Sequence, residues 1–293
     1  MTTGGILQLS GIGEAEALIE AALREDLGPD RLDATTLALV RGDRTARARL
    51  VTRAPCTVAG GPVAAAVFEC VDPDTRVRTL IEDGRQAGAG EAVLEIKGRA
   101  GSLLTAERTA LNFIQRLTGV ATVTRRFVDA VQGTQARILD TRKTTPGYRA
   151  LEKYAVRCGG GANHRMGLFD AVLIKDNHLH YRASCGDTPV ADAVRDARAA
   201  FPHLTIEVEV DTLDQLDEAL TAEPDWVLLD NMDPGTLREA VRRCAGRCST
   251  EASGTMTLDR VAEVAAAGVD AISVGALTHS ATAVDLALDF AED

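Results

Sequence analysis

Five residues within a span of 34, Arg142, Lys143, His164, Arg165 and Lys175, bring four cations and an imidazole to three successive predicted loops. Arginine offers a planar fork that matches a carboxylate or phosphate, and lysine a movable point charge. Both together suit a ligand with more than one anionic group. Residues 137–175 hold eight Lys/Arg against three Asp/Glu, a local +5 in a chain of net charge -11, so the remainder carries -16. The plainer alternative is that each cation pairs with an acid on a neighbouring strand end. Five of them at loop starts argue for a ligand instead. Glu209 and Asp230 are separated by 20 residues, one β/α repeat. Such a pair can hold Mg²⁺ or bind sugar hydroxyls, or one member can act as a general base. Asp230-Asn231 equally suits a turn or N-cap ahead of Pro234. Ser253-Gly254-Thr255 and Val274-Gly275-Ala276 are small enough to let backbone N–H groups approach a phosphate. The Gly159-Gly160-Gly161 run reads as a flexible loop that lets His164 and Arg165 reach a cavity. No Walker motif, G-x-S-x-G or strand-to-helix G-x-G-x-x-G accompanies them.

The elements that must position these residues change character near residue 136. Beyond it, short apolar strands are predicted at 136–139, 171–174, 204–210, 226–229, 248–252 and 271–274. Helical stretches alternate with them at 148–157, 189–200, 212–220, 234–244 and 258–267. Strands buried on both faces and joined by crossover helices form a parallel sheet. The polar residues fall directly after the strands, and a barrel gathers strand ends around one mouth where an open sheet would spread them along an edge. The expected architecture is therefore an incomplete α/β barrel of six or seven strands. The N-terminal third reads as a mixed α/β unit. It has a helix over 15–27 closed by Gly28-Pro29, strands within 46–58, 76–81 and 92–97, and a helical stretch over 102–131 that Gly119 is expected to divide.

Composition sets the outer bounds. With 293 residues, 45% hydrophobic and 26% charged, the chain is globular. Its longest uncharged run, 54–68, is broken by Pro55 and Gly60-Gly61-Pro62 and falls short of the ~20 residues a membrane span needs. A net acidic charge argues against sequence-independent nucleic-acid binding. Six cysteines, at 56, 70, 158, 185, 244 and 248, include no C-x-x-C, and Cys244 and Cys248 have the spacing of one helix face. The first 31 residues hold six acids and only Arg24 and Arg31 as bases, unlike a signal or transit peptide, so a cytoplasmic protein with reduced thiols is expected.

Several strings are more specific than any of these patterns. Glu107-Arg108-Thr109-Ala110-Leu111-Asn112, Asp140-Thr141-Arg142-Lys143-Thr144-Thr145-Pro146-Gly147 and Gly160-Gly161-Ala162-Asn163-His164-Arg165 occur in order. Leu173-Ile174-Lys175-Asp176-Asn177-His178, Glu207-Val208-Glu209-Val210 and Glu251-Ala252-Ser253-Gly254 follow them. In this order over nearly the whole chain they resemble the quinolinate phosphoribosyltransferases. The resemblance implies an α/β sandwich domain over 1–113, an incomplete barrel over 114–280, and a final helix over 281–293 packed back on the first domain. It implies a homodimer in which one subunit's first domain faces the other's barrel. It also implies the reaction of quinolinate with phosphoribosyl pyrophosphate (PRPP) and Mg²⁺ to give nicotinate mononucleotide, pyrophosphate and CO₂ on the route to NAD. Arg108 of the partner, Thr141, Arg142, His164, Arg165 and Lys175 resemble the quinolinate-binding set. Lys143, Glu209, Asp230, Ser253, Gly254, Thr255, Val274, Gly275, Ala276 and His279 resemble the PRPP set, with Lys143, Glu209 and Asp230 in catalytic roles and magnesium held mainly by PRPP. The rival readings are a phosphoribosyltransferase taking nicotinate, a non-catalytic anion-binding barrel, and an aldolase using Lys175 as a Schiff base.

Overall fold

The computed structural model describes residues 12–42, 44–184 and 190–291. Cys185, Pro189 and the last two positions of the expected final helix lie outside them. The chain opens with α1 (Ile12–Leu27), α2 (Ala34–Leu39), β1 (Thr45–Thr52), β2 (Cys56–Thr57), α3 (Gly61–Val71), β3 (Arg76–Thr79), β4 (Gln86–Ala87), β5 (Ala92–Arg99) and α4 (Ala100–Ala130). Then follow β6 (Arg137–Leu139), α5 (Arg149–Cys158), β7 (Ala171–Ile174), α6 (Asp176–Ser184), α7 (Val190–Ala200), β8 (Thr205–Val210) and α8 (Leu213–Leu220). The remainder is β9 (Trp226–Asp230), α9 (Pro234–Cys244), β10 (Ser249–Ser253), α10 (Leu258–Ala266), β11 (Ala271–Ser273), α11 (Ala276–His279) and β12 (Leu286–Phe290). Among the described residues no helix is long and apolar enough to cross a membrane.

Two compact units emerge. The first takes the residues up to Arg125, Thr144–Gly160 and the stretch from Thr278; the second takes Arg126–Lys143 and Gly161–Leu277. The first unit holds an antiparallel sheet in the order β12-β1-β5-β3 and a short β2-β4 pair. Its central helix, α4, buries Leu103, Ala106, Ala110, Ile114, Leu117 and Ala121, the three- and four-residue steps of one helix face. Gly119 does not divide it. A Cβ there would collide with the Thr282 carbonyl oxygen, so the glycine serves a close backbone approach. The expected strand over 46–58 is interrupted after Thr52, and α3 follows unanticipated. Gly60 enters α3 with φ of 96°, Pro62 fits its first turn, and Asp83 accepts from Gly60 N (2.7 Å) and Gly61 N (3.1 Å).

The expected C-terminal helix over 281–293 is a correction. Leu286–Phe290 is a strand, paired antiparallel with β1 from Thr52↔Leu286 to Ala48↔Phe290. The Ala- and Leu-rich composition favours helix, but Leu286 and Leu288 alternate, both are buried, and the open edge of β1 supplies backbone partners.

The second unit is a six-stranded parallel sheet in the order β6-β11-β10-β9-β8-β7. From β7 to β11 each crossover steps to the next neighbour in one direction. Right-handed connections then place every helix on one face, and the other face curls inward. The first strand pairs with the last, as in a barrel, but β6 and β7 do not pair with each other. The gap is covered at β6 by Ala162, whose N–H donates to Ile138 O (2.8 Å) and whose carbonyl accepts from Asp140 N (3.2 Å). This is an incomplete six-stranded barrel. Ile206, Val208, Val210, Val227, Leu229, Ala252 and Ile272 pack outward beneath the helices. Glu207, Glu209, Leu228, Asp230, Glu251, Ser253 and Ser273 alternate with them toward the interior.

Candidate active site

The cationic loops are placed by a buried carboxylate. Asp140, fully buried after β6, accepts from Asn163 Nδ2 (2.5 Å) and from His164 N (2.9 Å), which straps 162–164 along the open edge of the barrel. Asp170 holds the next turn through Met166 N (2.7 Å) and Gly167 N (2.9 Å). The glycine run ahead of the strap answers to packing. A Cβ on Gly159 would lie 2.6 Å from Ala121 O, and Gly160 has φ of 89°.

A cavity of about 320 Å³ opens at the C-terminal ends of the strands. Thr141, Arg142, Lys143, His164, Arg165, Lys175 and Ser253 of the expected set line it, against Leu173 and Leu228. Arg165 donates through Nη1 to Ala171 O (3.0 Å), and burial together with the nearby Arg142 charge holds its guanidinium below the usual arginine range. Two guanidinium groups that raise each other's free energy are relieved by an anion between them. Lys175 Nζ is 3.0 Å from Glu209 Oε2, so one cation of the set has the carboxylate partner of the plainer alternative, and that partner is itself an expected site residue. Lys175 precedes a helix, α6, in place of the expected loop, and its N–H donates to His178 Nδ1 (2.9 Å).

Asp230 is not a helix cap. That place belongs to Asp233, which accepts from Gly235 N (2.8 Å) and Thr236 N (3.1 Å), while Asp230 Oδ2 accepts from Asn231 Nδ2 (2.7 Å). Gly254, at φ of 120°, passes so close to Asn231 that a Cβ would strike its side-chain oxygen, and Asn231 N donates to Ser253 O (3.1 Å). Arg260 ties the same two loops through Thr255 O and Met232 O, both at 3.1 Å. Val274 is buried and its N–H donates to Leu139 O (2.9 Å); Gly275 and Ala276 follow it at the start of α11. Arg108 is exposed on α4, and His279 Nδ1 lies 2.7 Å from Ser280 Oγ; both belong to the first unit.

One group has no counterpart in the expected site. Glu207 and Glu251, inward-facing on β8 and β10, are buried with His164 between them: Nε2 is 2.9 Å from Glu207 Oε2 and 3.5 Å from Glu251 Oε2. The Nδ1 of the ring accepts from Arg165 N (2.7 Å), so the proton of a neutral ring sits on Nε2. Burial first, and then the Glu207 charge, push the Glu251 carboxyl up to about 8. The signal available in sequence was the alternation of β8, where Glu207 and Glu209 share the face opposite three branched apolar residues.

Residues 33–118 match the family described as quinolinate phosphoribosyl transferase, N-terminal domain, and residues 120–289 its C-terminal domain. A nicotinate-nucleotide pyrophosphorylase [carboxylating] of Mycobacterium leprae is 48% identical over 280 residues, covering 94% of this chain and 96% of that one. A probable nicotinate-nucleotide pyrophosphorylase [carboxylating] of Bacillus subtilis is 40% identical, covering 94% and 93%. The solved nicotinate-nucleotide pyrophosphorylase of Francisella tularensis superposes with a TM-score of 0.88 at 39% identity, over 95% of this chain and 96% of that one. With two matched domains in sequence order and a cation-lined barrel mouth, the chain belongs to the quinolinate phosphoribosyltransferase family.

Proposed function

We propose that this chain transfers the phosphoribosyl group of PRPP to the ring nitrogen of quinolinate and releases CO₂, giving nicotinate mononucleotide and pyrophosphate. The observation that carries this reading is the convergence of Arg142, Arg165, Lys143 and Lys175 on one cavity of about 320 Å³. A pyridine with carboxylates on adjacent carbons needs more than one cation, and the crowded Arg142 and Arg165 gain most from a dianion. Lys175 positions one carboxylate and is steadied by Glu209. Glu209 and Asp230 end adjacent strands, where they bind the ribose hydroxyls and offset the positive charge that grows at C1 as pyrophosphate leaves. Lys143, exposed at the rim, meets the departing pyrophosphate. Magnesium arrives with PRPP as its complex. The mouth suits a cation already wrapped in pyrophosphate oxygens, because its own cations outnumber its acids and Glu209 is engaged by Lys175. Once ribosylated, the ring nitrogen is a pyridinium that accommodates the electron pair left at C2. The proposed assembly is a homodimer in which the partner's Arg108 completes the quinolinate site.

The test supplies quinolinate labelled at the C2 carboxyl with PRPP and Mg²⁺. Equal amounts of labelled CO₂ and nicotinate mononucleotide are expected, with no turnover when nicotinate replaces quinolinate. Turnover of nicotinate, or no CO₂, overturns the assignment.

A further inference from the structure

Decarboxylation leaves an electron pair on C2 of the ring, and a proton must meet it inside a cavity lined by Arg142, Lys143, Arg165, Lys175, His164 and neutral side chains. Glu251 lines that cavity, and it also lines a second one of about 290 Å³ at the opposite end of the barrel. The second cavity is formed where the strands begin, by Arg137, Ala171, Thr205 and Trp226, with the Arg137 guanidinium 5.8 Å from the Trp226 ring centre. His164 and Arg165 also line both. The layer of His164, Glu207 and Glu251 is therefore the partition between the substrate cavity and a separate polar chamber.

The geometry of this partition favours a proton held between the two carboxylates. Glu207 Oε1 and Glu251 Oε1 are buried without a hydrogen-bond partner, and the single N–H of His164 is directed at the other oxygens. Two ionised carboxylates in this position would be costly to bury. They would also repel a dicarboxylate bound above them. A metal ion is a poor substitute for the proton. Ligation through Nε2, with Nδ1 already accepting the Arg165 N–H, would leave the ring an imidazolate.

We propose that the Glu207–Glu251 pair is the internal acid of the reaction, holding one proton on the floor of the substrate cavity and giving it to C2 as CO₂ leaves. The C2–carboxyl bond breaks, its electron pair stays on C2, and that pair takes the proton from the Glu251 carboxyl to form C2–H. The ionised Glu251, now beside Glu207, regains a proton from water in the opposite cavity, so one solvent proton is consumed per turnover. Before the bond breaks, the protonated carboxyl donates to the C2 carboxylate, which places it on the line along which CO₂ departs. The charged groups that line the two cavities with the pair are His164 and Arg165 from the strap, Asp170 from the turn after it, Arg137 at the start of β6, Arg142 and Lys143 after it, and Lys175 after β7; Ser273 on β11 is its neutral neighbour. Since the acid form is the active one, turnover is full while Glu251 is protonated and declines as pH rises through its raised pKa near 8.

This inference rests on the quinolinate reaction proposed above: an unaltered enzyme that releases no CO₂ from quinolinate overturns both readings, whereas a decarboxylating parent with an unimpaired Glu251→Gln variant overturns this one alone. Glu251→Gln keeps the shape and removes the transferable proton. Quinolinate affinity by titration calorimetry is expected within about threefold of the parent, with kcat lower by about 100-fold or more. The parent's kcat is expected to fall above about pH 8, and the residual rate of the variant to be flat from pH 6.5 to 9. A variant kcat within twofold of the parent overturns the proposal, as does stoichiometric Mn²⁺ binding in the parent that Glu251→Gln abolishes. Should the variant fail to fold, the pH profile of the parent decides, and a flat kcat over that range is the contrary result.

Discussion

Arg142 and Arg165 face the same cavity, and burial first, then the neighbouring Arg142 charge, lower the affinity of Arg165 for its proton. Arg142→Ala should lower quinolinate affinity about 10- to 100-fold, the worth of a hydrogen bond to a charged group at 1.5–3 kcal/mol, measured by calorimetry on the folded variant. Arg142→Lys should recover only part of it, because an ammonium cannot reproduce the two-pronged contact. Unchanged affinity in Arg142→Ala would remove it from the binding set. Gly254 gives a second test. At φ of 120° and against Asn231, Gly254→Ala should cost about 1–3 kcal/mol of stability, read from the denaturant midpoint, and should raise KM for PRPP more than for quinolinate. The cations were legible in sequence because four of them crowd into 34 residues at the starts of predicted loops. The partition of Glu207 and Glu251 was not. They lie 44 residues apart on two strands that are not neighbours in the sheet, and only the closing of the sheet puts both beside His164.

At the scale of elements, local pattern succeeds where one face of an element decides its state and fails where a distant segment does. The strands β7, β9 and β11 lie within a residue of their expected bounds, because continuous branched apolar runs bounded by turns have few other outcomes. Gly119, the expected break in α4, and the final strand β12, expected as a helix, depend instead on partners more than 160 residues away. Gly119→Ala separates the two kinds of reasoning by sign. Helix propensity alone predicts a gain of about 1 kcal/mol from alanine inside a helix. The contact with Thr282 predicts a loss of about 1–3 kcal/mol, since backbone rather than a flexible side chain must give way. Chemical denaturation of the two proteins measures the difference, and a stabilised alanine variant would mean that the 282–283 segment moves freely off α4.

For the molecule as a whole, charge is divided between a +5 segment and a -16 remainder, and the positive segment supplies four of the cations that converge on the mouth. The residues lining that cavity all belong to the second unit. Arg108, expected from its resemblance to bind quinolinate, lies exposed on α4 in the first. If a partner subunit delivers it, Arg108→Ala and Lys175→Ala damage opposite halves of one composite site. Each variant alone should lose nearly all turnover while keeping its thermal transition. In a mixed dimer one of the two sites draws both lesions and the other draws neither. Random reassortment makes half the dimers mixed, so unfolding and refolding the two variants together should restore up to about a quarter of the parent rate. The recovery should follow the heterodimer fraction when the mixing ratio is varied, and sedimentation should show dimers throughout. A mixture no more active than the sum of its parts, with exchange verified by a tag on one variant, would mean that Arg108 serves the subunit that carries it or does not reach the substrate at all.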